Sequence, residues 1–313
     1  MFKNPFKKNK LEKWYERGLT FANKRKYTEA LECFDKALEV DPNRVDILVS
    51  KAMALYALEK YEDALKCCDK AIRIDPNHYD AWYVKGLVLN SLEKYYDALK
   101  CFDKSLEFEV HDAAIWRNKG NTLKELGMLN EALKCYDEAL KISDFGVSKS
   151  KISKVLELDP QDFHTWNSKC VILLKLELFN EALTCYNGAL KLNPQDSYFL
   201  NGKGFTLFKL GRFDEALECL DEALKLDPDF LEAWGTKGNI LNQLKHDKEA
   251  LICFDNVIKL DPDDINGWYK KGHTLMKLSK NQEALNCFDK VLELDPEDEA
   301  ARKYRDEILY STS

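Results

Sequence analysis

Three features of the sequence predict an all-α chain of repeated helical hairpins. Proline pairs recur at Asp41-Pro42, Asp75-Pro76, Asp159-Pro160, Asn193-Pro194, Asp227-Pro228, Asp261-Pro262 and Asp295-Pro296, and apart from one gap the numbering advances by the same step each time. EAL or DAL triplets, beginning at Glu29, Asp63, Asp97, Glu131, Glu181, Glu215, Glu249 and Glu283, keep that step except for one longer stride between Glu131 and Glu181. Only 13 glycines and 8 prolines occur in 313 residues, strand-like alternation is scarce, and Ala, Glu, Lys and Leu are spaced for helices. With 45% hydrophobic and 12% aromatic residues the chain can bury a substantial apolar interior.

The elements follow in order. Residues 1–10, MFKNPFKKNK, carry Lys3, Lys7, Lys8 and Lys10 beside Phe2 and Phe6 and read as a flexible basic head. A glancing contact with an anionic membrane is the alternative, and one short basic segment binds a membrane only weakly. Repeats one to four occupy 11–142, an insertion occupies 143–158, and 159–298 hold the end of repeat four and repeats five to eight. A capping helix and tail are expected at 299–313, with Ala301, Tyr304, Ile308 and Leu309 turned inward.

Each repeat, such as DFLEAWGTKGNILNQLKHDKEALICFDNVIKLDP, has two helical patterns separated by a short polar turn and stopped by proline, which has no N–H to donate. A small residue recurs in the first helix (Gly18, Ala52, Gly86, Gly120, Cys170, Gly204, Gly238, Gly272) and alanine in the second (Ala30, Ala64, Ala98, Ala132, Ala182, Ala216, Ala250, Ala284). Both columns let the helix backbones approach closely. Trp14, Trp82, Trp116, Trp166, Trp234 and Trp268, with Phe34, Phe102, Tyr136, Tyr186, Phe254 and Phe288, are expected as core aromatics.

The pattern W..KG..L..L....EAL.CFD.AL.LDP resembles the tetratricopeptide repeat, a helix-turn-helix unit of about 34 residues. The resemblance covers nearly the whole chain. Leu48 and Leu200 replace the usual tryptophan, Cys68 and Leu220 the usual aromatic, and Val110 and Asp144 stand where proline is expected. The resemblance implies a right-handed superhelical solenoid of eight repeats, with first helices lining a concave face and second helices a convex one. It also assigns the C-terminal helix the role of a solubilising cap.

The insertion contains the triplet Asp144-Phe145-Gly146, which holds magnesium in protein kinases. No glycine-rich phosphate loop, strand lysine or HRD-like loop accompanies it, so the triplet is a coincidence. Lys154–Pro160 repeats the sequence of Lys290–Pro296, so the insertion ends by restoring a normal repeat ending. Two conformations fit it. One is a break near Gly146 followed by a short helix that packs Ile152, Val155 and Leu156; the other is a long projecting helix with Ile142, Phe145, Ile152 and Leu156 in one stripe.

Eight of the ten cysteines, Cys33, Cys67, Cys101, Cys135, Cys185, Cys219, Cys253 and Cys287, share one column of the second helix. Equivalent positions in neighbouring repeats should lie on the order of 10 Å apart, too far for a disulfide, so free thiols acting as small hydrophobes are expected. Neither CxxC nor a metal-spaced His/Cys set is present, and His78, His111, His164 and His246 are isolated. No cofactor, metal or catalytic residue is expected, and no residues are left over to build a catalytic domain.

A basic residue precedes the small one in every repeat: Arg17, Lys51, Lys85, Lys119, Lys169, Lys203, Lys237 and Lys271. Either the column binds an anionic ligand along the array, or each stem packs across the helix pair while its ammonium reaches solvent. Spacing and the resemblance together place Tyr83, Arg117, Asn121, Asn167, Asn201, Phe205, Asn239, Asn242, Tyr269 and His273 on the concave side. Asparagine both donates and accepts, so a line of it can hydrogen-bond an extended peptide, with aromatics holding side chains; an exposed helix face also accepts asparagine freely. One use of the family clamps a partner's C-terminal carboxylate. Arg117 and Asn121 begin such a set, but Ser168, Tyr198 and Gly202 do not supply its remaining charges.

These features point to a non-catalytic adaptor with a protein or peptide partner in the groove. A structural scaffold that self-associates through exposed repeat edges is the alternative, and the regulatory arm of an enzyme comes last. A formal charge of −7, from 47 Lys+Arg against 54 Asp+Glu, repels nucleic acid. No apolar run reaches membrane-spanning length and no signal-peptide core is present, so a cytoplasmic place without integral membrane association is expected. Lysine far exceeds arginine and glutamine is rare, a balance seen in many hyperthermophile proteins.

Overall fold

Helices form where the repeat pattern places them. The computed structural model describes residues 5–144 and 163–311 and, among them, seventeen helices and no strand. They are α1 (Pro5–Asn23), α2 (Tyr27–Val40), α3 (Val45–Ala57), α4 (Tyr61–Ile74), α5 (Tyr79–Ser91), α6 (Tyr95–Phe108), α7 (Ala113–Glu125), α8 (Leu129–Asp144) and α9 (Phe163–Lys175). The series continues with α10 (Phe179–Leu192), α11 (Ser197–Lys209), α12 (Phe213–Leu226), α13 (Leu231–Gln243), α14 (Asp247–Leu260), α15 (Ile265–Lys277), α16 (Asn281–Leu294) and α17 (Glu299–Ser311). The first sixteen are eight helix pairs. Helix α1 starts at Pro5, so the head expected to be flexible as far as residue 10 is helical from there. The two conformations of the insertion concern residues that lie outside those described, beyond the α8 end at Asp144.

The turn inside every pair uses one left-handed residue at the same position. Arg25, Glu59, Glu93, Gly127, Glu177, Gly211, Lys245 and Ser279 all have φ between 55° and 75°, and only two of them are glycine. A side chain in this conformation costs roughly 1–2 kcal/mol that glycine avoids. Glu93→Gly is therefore expected to stabilise the protein by about 0.5–1 kcal/mol, visible as a higher melting temperature; a lower one would contradict the strain.

The second turn, between pairs, explains the Asp-Pro signature. Asp41, Asp75, Asp227, Asp261 and Asp295 each cap their own turn, a side-chain oxygen accepting from the backbone N–H two residues on at 3.1–3.2 Å. The tryptophans then close it. Nε1 of Trp82, Trp234 and Trp268 donates to the carbonyl of Pro76, Pro228 and Pro262 at 2.8 Å, and Trp116 does so to Val110 at 2.9 Å. This corrects the expectation of core tryptophans: all six are only half-buried, and in these four the indole N–H reaches a loop carbonyl. The second-helix rings Phe34, Phe102, Tyr136, Tyr186, Phe254 and Phe288 are buried, as is Tyr83 of α5.

Two compact units divide the chain, Met1–Ile172 and Leu173–Ser313. In each, helices pack on their neighbours in the chain, and some first helices also touch the next first helix, as α3 does α5 and α11 does α13. That is nearest-neighbour stacking, the packing of a helical-repeat solenoid. The small-residue column brings the helices of a pair close together. A Cβ placed on Gly86 would lie 2.6 Å from the Phe102 ring, and one on Gly238 would lie 2.7 Å from the Phe254 ring.

The C-terminal helix α17 covers the end of the last pair. Ala301 and Ile308 are buried and Tyr304 packs against Phe288, whereas Leu309, expected inside, is exposed. Asp306 stands where other first helices carry their small residue, one repeat after Gly272.

Candidate functional site: a groove lined by first helices

The basic column is used internally. The ammonium groups of Lys51, Lys85, Lys119, Lys237 and Lys271 lie 2.5–2.7 Å from Asp35, Asp69, Asp103, Asp221 and Asp255, all on the second helix of the preceding pair, and Lys169 lies 2.6 Å from Asp137. Most of them also lie over the tryptophan three residues before, as Lys237 does 5.6 Å from the Trp234 ring centre. Their side chains are only 22–26% exposed. The stems pack as expected, but the charged heads are paired rather than left to solvent, which removes the reading of a continuous anion track. Lys203 differs: Asn187 holds the aspartate position, and no acid pairs with it among the described residues.

The cysteine column is buried or half-buried, and Cys33, Cys67, Cys101, Cys135, Cys219, Cys253 and Cys287 are free. Burial raises the thiol pKa of Cys101, Cys135, Cys253 and Cys287 to about 11, so they act as small hydrophobes. Cys170 and Cys185 are in disulfide linkage, a correction to the expectation of free thiols. That expectation considered only equivalent positions in neighbouring repeats. Cys170 belongs to the small-residue column, where a Cβ on Gly238 or Gly272 would lie 3.1 Å from the Cβ of Cys253 or Cys287.

In the first unit, the expected groove residues are mostly engaged. Tyr83 is 1% exposed and its hydroxyl accepts from Asn118 Nδ2 at 3.0 Å; Arg117 is 7% exposed. Both were expected on an open face. Asn118, on the next first helix, shows why Tyr83 is not: residues 35 apart meet at the seam between successive first helices. Ser50 and Tyr15 meet the same way at 3.2 Å. Asn121 accepts from the Tyr136 hydroxyl at 2.8 Å, and Asn167 is half-buried with a buried Oδ1 that accepts from no residue.

The second unit brings its expected residues together. A cleft of about 450 Å³ is lined by Asn201 and Phe205 of α11, Asn239 of α13 and Lys270 of α15, with Glu232, Asp264 and Gly235 among the others. A second cleft, of about 510 Å³, shares Asn239 and Lys270 with the first and adds Asn242, Gln243, Tyr269, His273, Lys277, Phe208 and the Tyr304 ring of α17. All six residues expected there thus line two adjoining clefts, built almost wholly from first helices.

Hydrogen bonding in these clefts is incomplete. Asn242 Nδ2 donates to Thr274 Oγ1 at 2.7 Å, and that hydroxyl donates to the Lys270 carbonyl at 2.7 Å. Oδ1 of Asn242 and Oδ1 of Asn201 are buried and accept from no residue. A buried acceptor left without a donor costs about 1–3 kcal/mol. Tyr304 forms the aromatic wall, with ring centres 6.0 Å from Tyr269 and 5.7 Å from His273. Burial, reinforced by Lys277 and Lys270, pushes the His273 pKa down, so the imidazole is neutral at pH 7.

Lys270, Lys277, Tyr304, Glu232 and Asp264 line the clefts without having been expected there from the sequence. Spacing was the available signal for Tyr304, since the interval from Tyr269 to Tyr304 equals that from Tyr83 to Asn118.

The fold and the clefts define a helical-repeat solenoid of the kind typical of protein-interaction scaffolds. Family models agree: "Tetratricopeptide repeat" matches residues 113–144, 163–196, 197–230, 231–264 and 265–298, and "Anaphase-promoting complex, cyclosome, subunit 3" matches 23–105. The chain belongs to the tetratricopeptide repeat family. No curated protein matches it.

Among solved structures, the chain is similar to YrrB, described as a TPR protein with an unusual peptide-binding site, at 24% identity over 66% of this chain and 99% of that one, TM-score 0.52. A tetratricopeptide repeat protein from Parabacteroides merdae is 14% identical over 85% and 98%, TM-score 0.53. The APC/C hetero-tetramer Cut9-Hcn1 is 17% identical over 90% of this chain and 52% of that one, TM-score 0.51. At these identities the likeness is one of fold. No helix of the described residues is long and apolar enough to cross a membrane.

Proposed function

We propose that the protein is a non-catalytic adaptor that holds an extended peptide or protein segment along the clefts of α11, α13, α15 and α17. The observation that carries this reading is the line of asparagines, Asn201, Asn239 and Asn242, in adjoining clefts that share Asn239 and Lys270. An extended backbone offers N–H donors at regular intervals to such acceptors, and the aromatic walls of Phe205, Tyr269 and Tyr304 can hold its side chains. The net charge of −7 fits a peptide ligand better than nucleic acid.

Panning the full chain against a library of random dodecapeptides tests the assignment. Peptides enriched on the wild type are expected to bind the Asn201→Ala/Phe205→Ala/Asn239→Ala variant at least about tenfold more weakly, with the helical signal unchanged. Equal binding by wild type and variant would contradict it.

A further inference from the structure

Charge is unevenly divided between the two clefts: Lys270 lies where they join, Lys277 lines one of them, and Glu232 and Asp264 line the other. In a chain where most basic column residues are paired, Lys270 and Lys277 have no acidic partner among the described residues, and both line the cleft that contains His273 and Tyr304. The adjoining cleft carries Glu232 and Asp264, and no lysine or arginine among the described residues pairs with either. Asp264 holds its place by accepting from the Gly267 N–H as the N-cap of α15.

We propose that this groove selects an extended peptide of mixed charge, with an acidic side chain seated between Lys270 and Lys277 and a basic side chain beside Glu232 and Asp264. The inference rests on the peptide-binding reading above and names its ligand class. Opposite charges in neighbouring clefts fix the direction in which a peptide lies, because a reversed peptide sets like charges against each other. They also disfavour a polyanion, which the Glu232 and Asp264 carboxylates repel.

The acid is assigned to a side chain rather than to a chain terminus. A terminal carboxylate is best held by fixed amide donors, and one of the two Asn242 amide N–H groups is already given to Thr274. Beside the amides of Asn239 and Gln243, Lys270 and Lys277 bring two ammonium groups to a cleft with an aromatic wall, which suits an aspartate or glutamate on a continuing backbone.

The test uses the peptides selected on the full chain. Enriched sequences should carry an acidic and a basic residue at a constant separation, and replacing that acid by its amide should weaken binding about tenfold. Lys270→Ala/Lys277→Ala should abolish the tenfold difference, and Lys270→Glu/Lys277→Glu should prefer the charge-reversed peptide. Amidating the peptide's C-terminus should change nothing. Enriched peptides without a charge pattern, or a loss caused by C-terminal amidation alone, would overturn the proposal while leaving peptide binding in place. Binding that survives Asn201→Ala/Phe205→Ala/Asn239→Ala would instead remove the groove assignment itself.

Discussion

Phe102→Ala is expected to lower stability by about 3–5 kcal/mol, and Gly86→Val by about 2–3 kcal/mol, because the two positions form one contact between the helices of a pair. Phe102 is fully buried, and a Cβ on Gly86 would meet its ring at 2.6 Å. Valine at position 86 must therefore push out a ring that has nowhere to go, whereas alanine at 102 leaves a cavity. Valine can partly fill that cavity. The double variant should consequently lose about 1–2 kcal/mol less than the two single losses added together, in denaturant unfolding followed by helical signal. Strict additivity would contradict the contact. Gly235 is the internal control: nothing lies within 4 Å of a Cβ there, so Gly235→Ala should be neutral or stabilising by up to about 1 kcal/mol.

Asp80→Asn is expected to stabilise the protein at pH 8 by on the order of 2–4 kcal/mol and to leave it unchanged below about pH 4. One repeat earlier, Arg44 holds Asp46 and Glu12 at 2.5 and 2.9 Å. His78 and Asp80 occupy the places of Arg44 and Asp46 in the next repeat, and burial pushes the His78 pKa down, so no cation replaces Arg44. Asp80 is left with one buried oxygen that accepts from no residue. Burial, then the charges of Asp112 and Glu109, raise its pKa from 3.8 to about 7 against an opposing hydrogen bond from Tyr79. A carboxyl whose folded pKa is raised stabilises fully below the unfolded value and loses that contribution as pH rises through the folded one. The wild-type melting temperature should therefore gain from acidification between pH 7 and pH 4 relative to the variant. Parallel pH profiles would contradict the assignment.

Much of the fold was legible in the sequence, and the reasons are local. Pro76, the Ala98 column and Gly86 each mark a helix end or a close approach, so their spacing located every pair. The site was less legible because its chemistry depends on which faces the next first helix covers. Tyr83 lies in the same face column as Tyr269, yet Asn118 meets one and Tyr304 the other; Tyr83 is buried, whereas Tyr269 and Tyr304 line an open cleft. Tryptophan was expected in the core from its size, although its N–H required an acceptor such as the Pro228 carbonyl. Apart from Lys169, the paired column lysines had their aspartates at a constant interval back in the sequence, as Asp69 stands to Lys85, and that interval becomes meaningful only once α4 and α5 are seen side by side.

The most direct test of the central claim follows the side-chain amide signals of Asn201, Asn239 and Asn242 by NMR as a selected dodecapeptide is added. If these clefts hold the peptide, those signals and the His273 ring shift together with one saturation curve, while the signal of Asn256, on the outer face of α14, stays in place. Shifts confined to Asn256 and other second-helix residues, with the three asparagines unmoved at saturation, would contradict it.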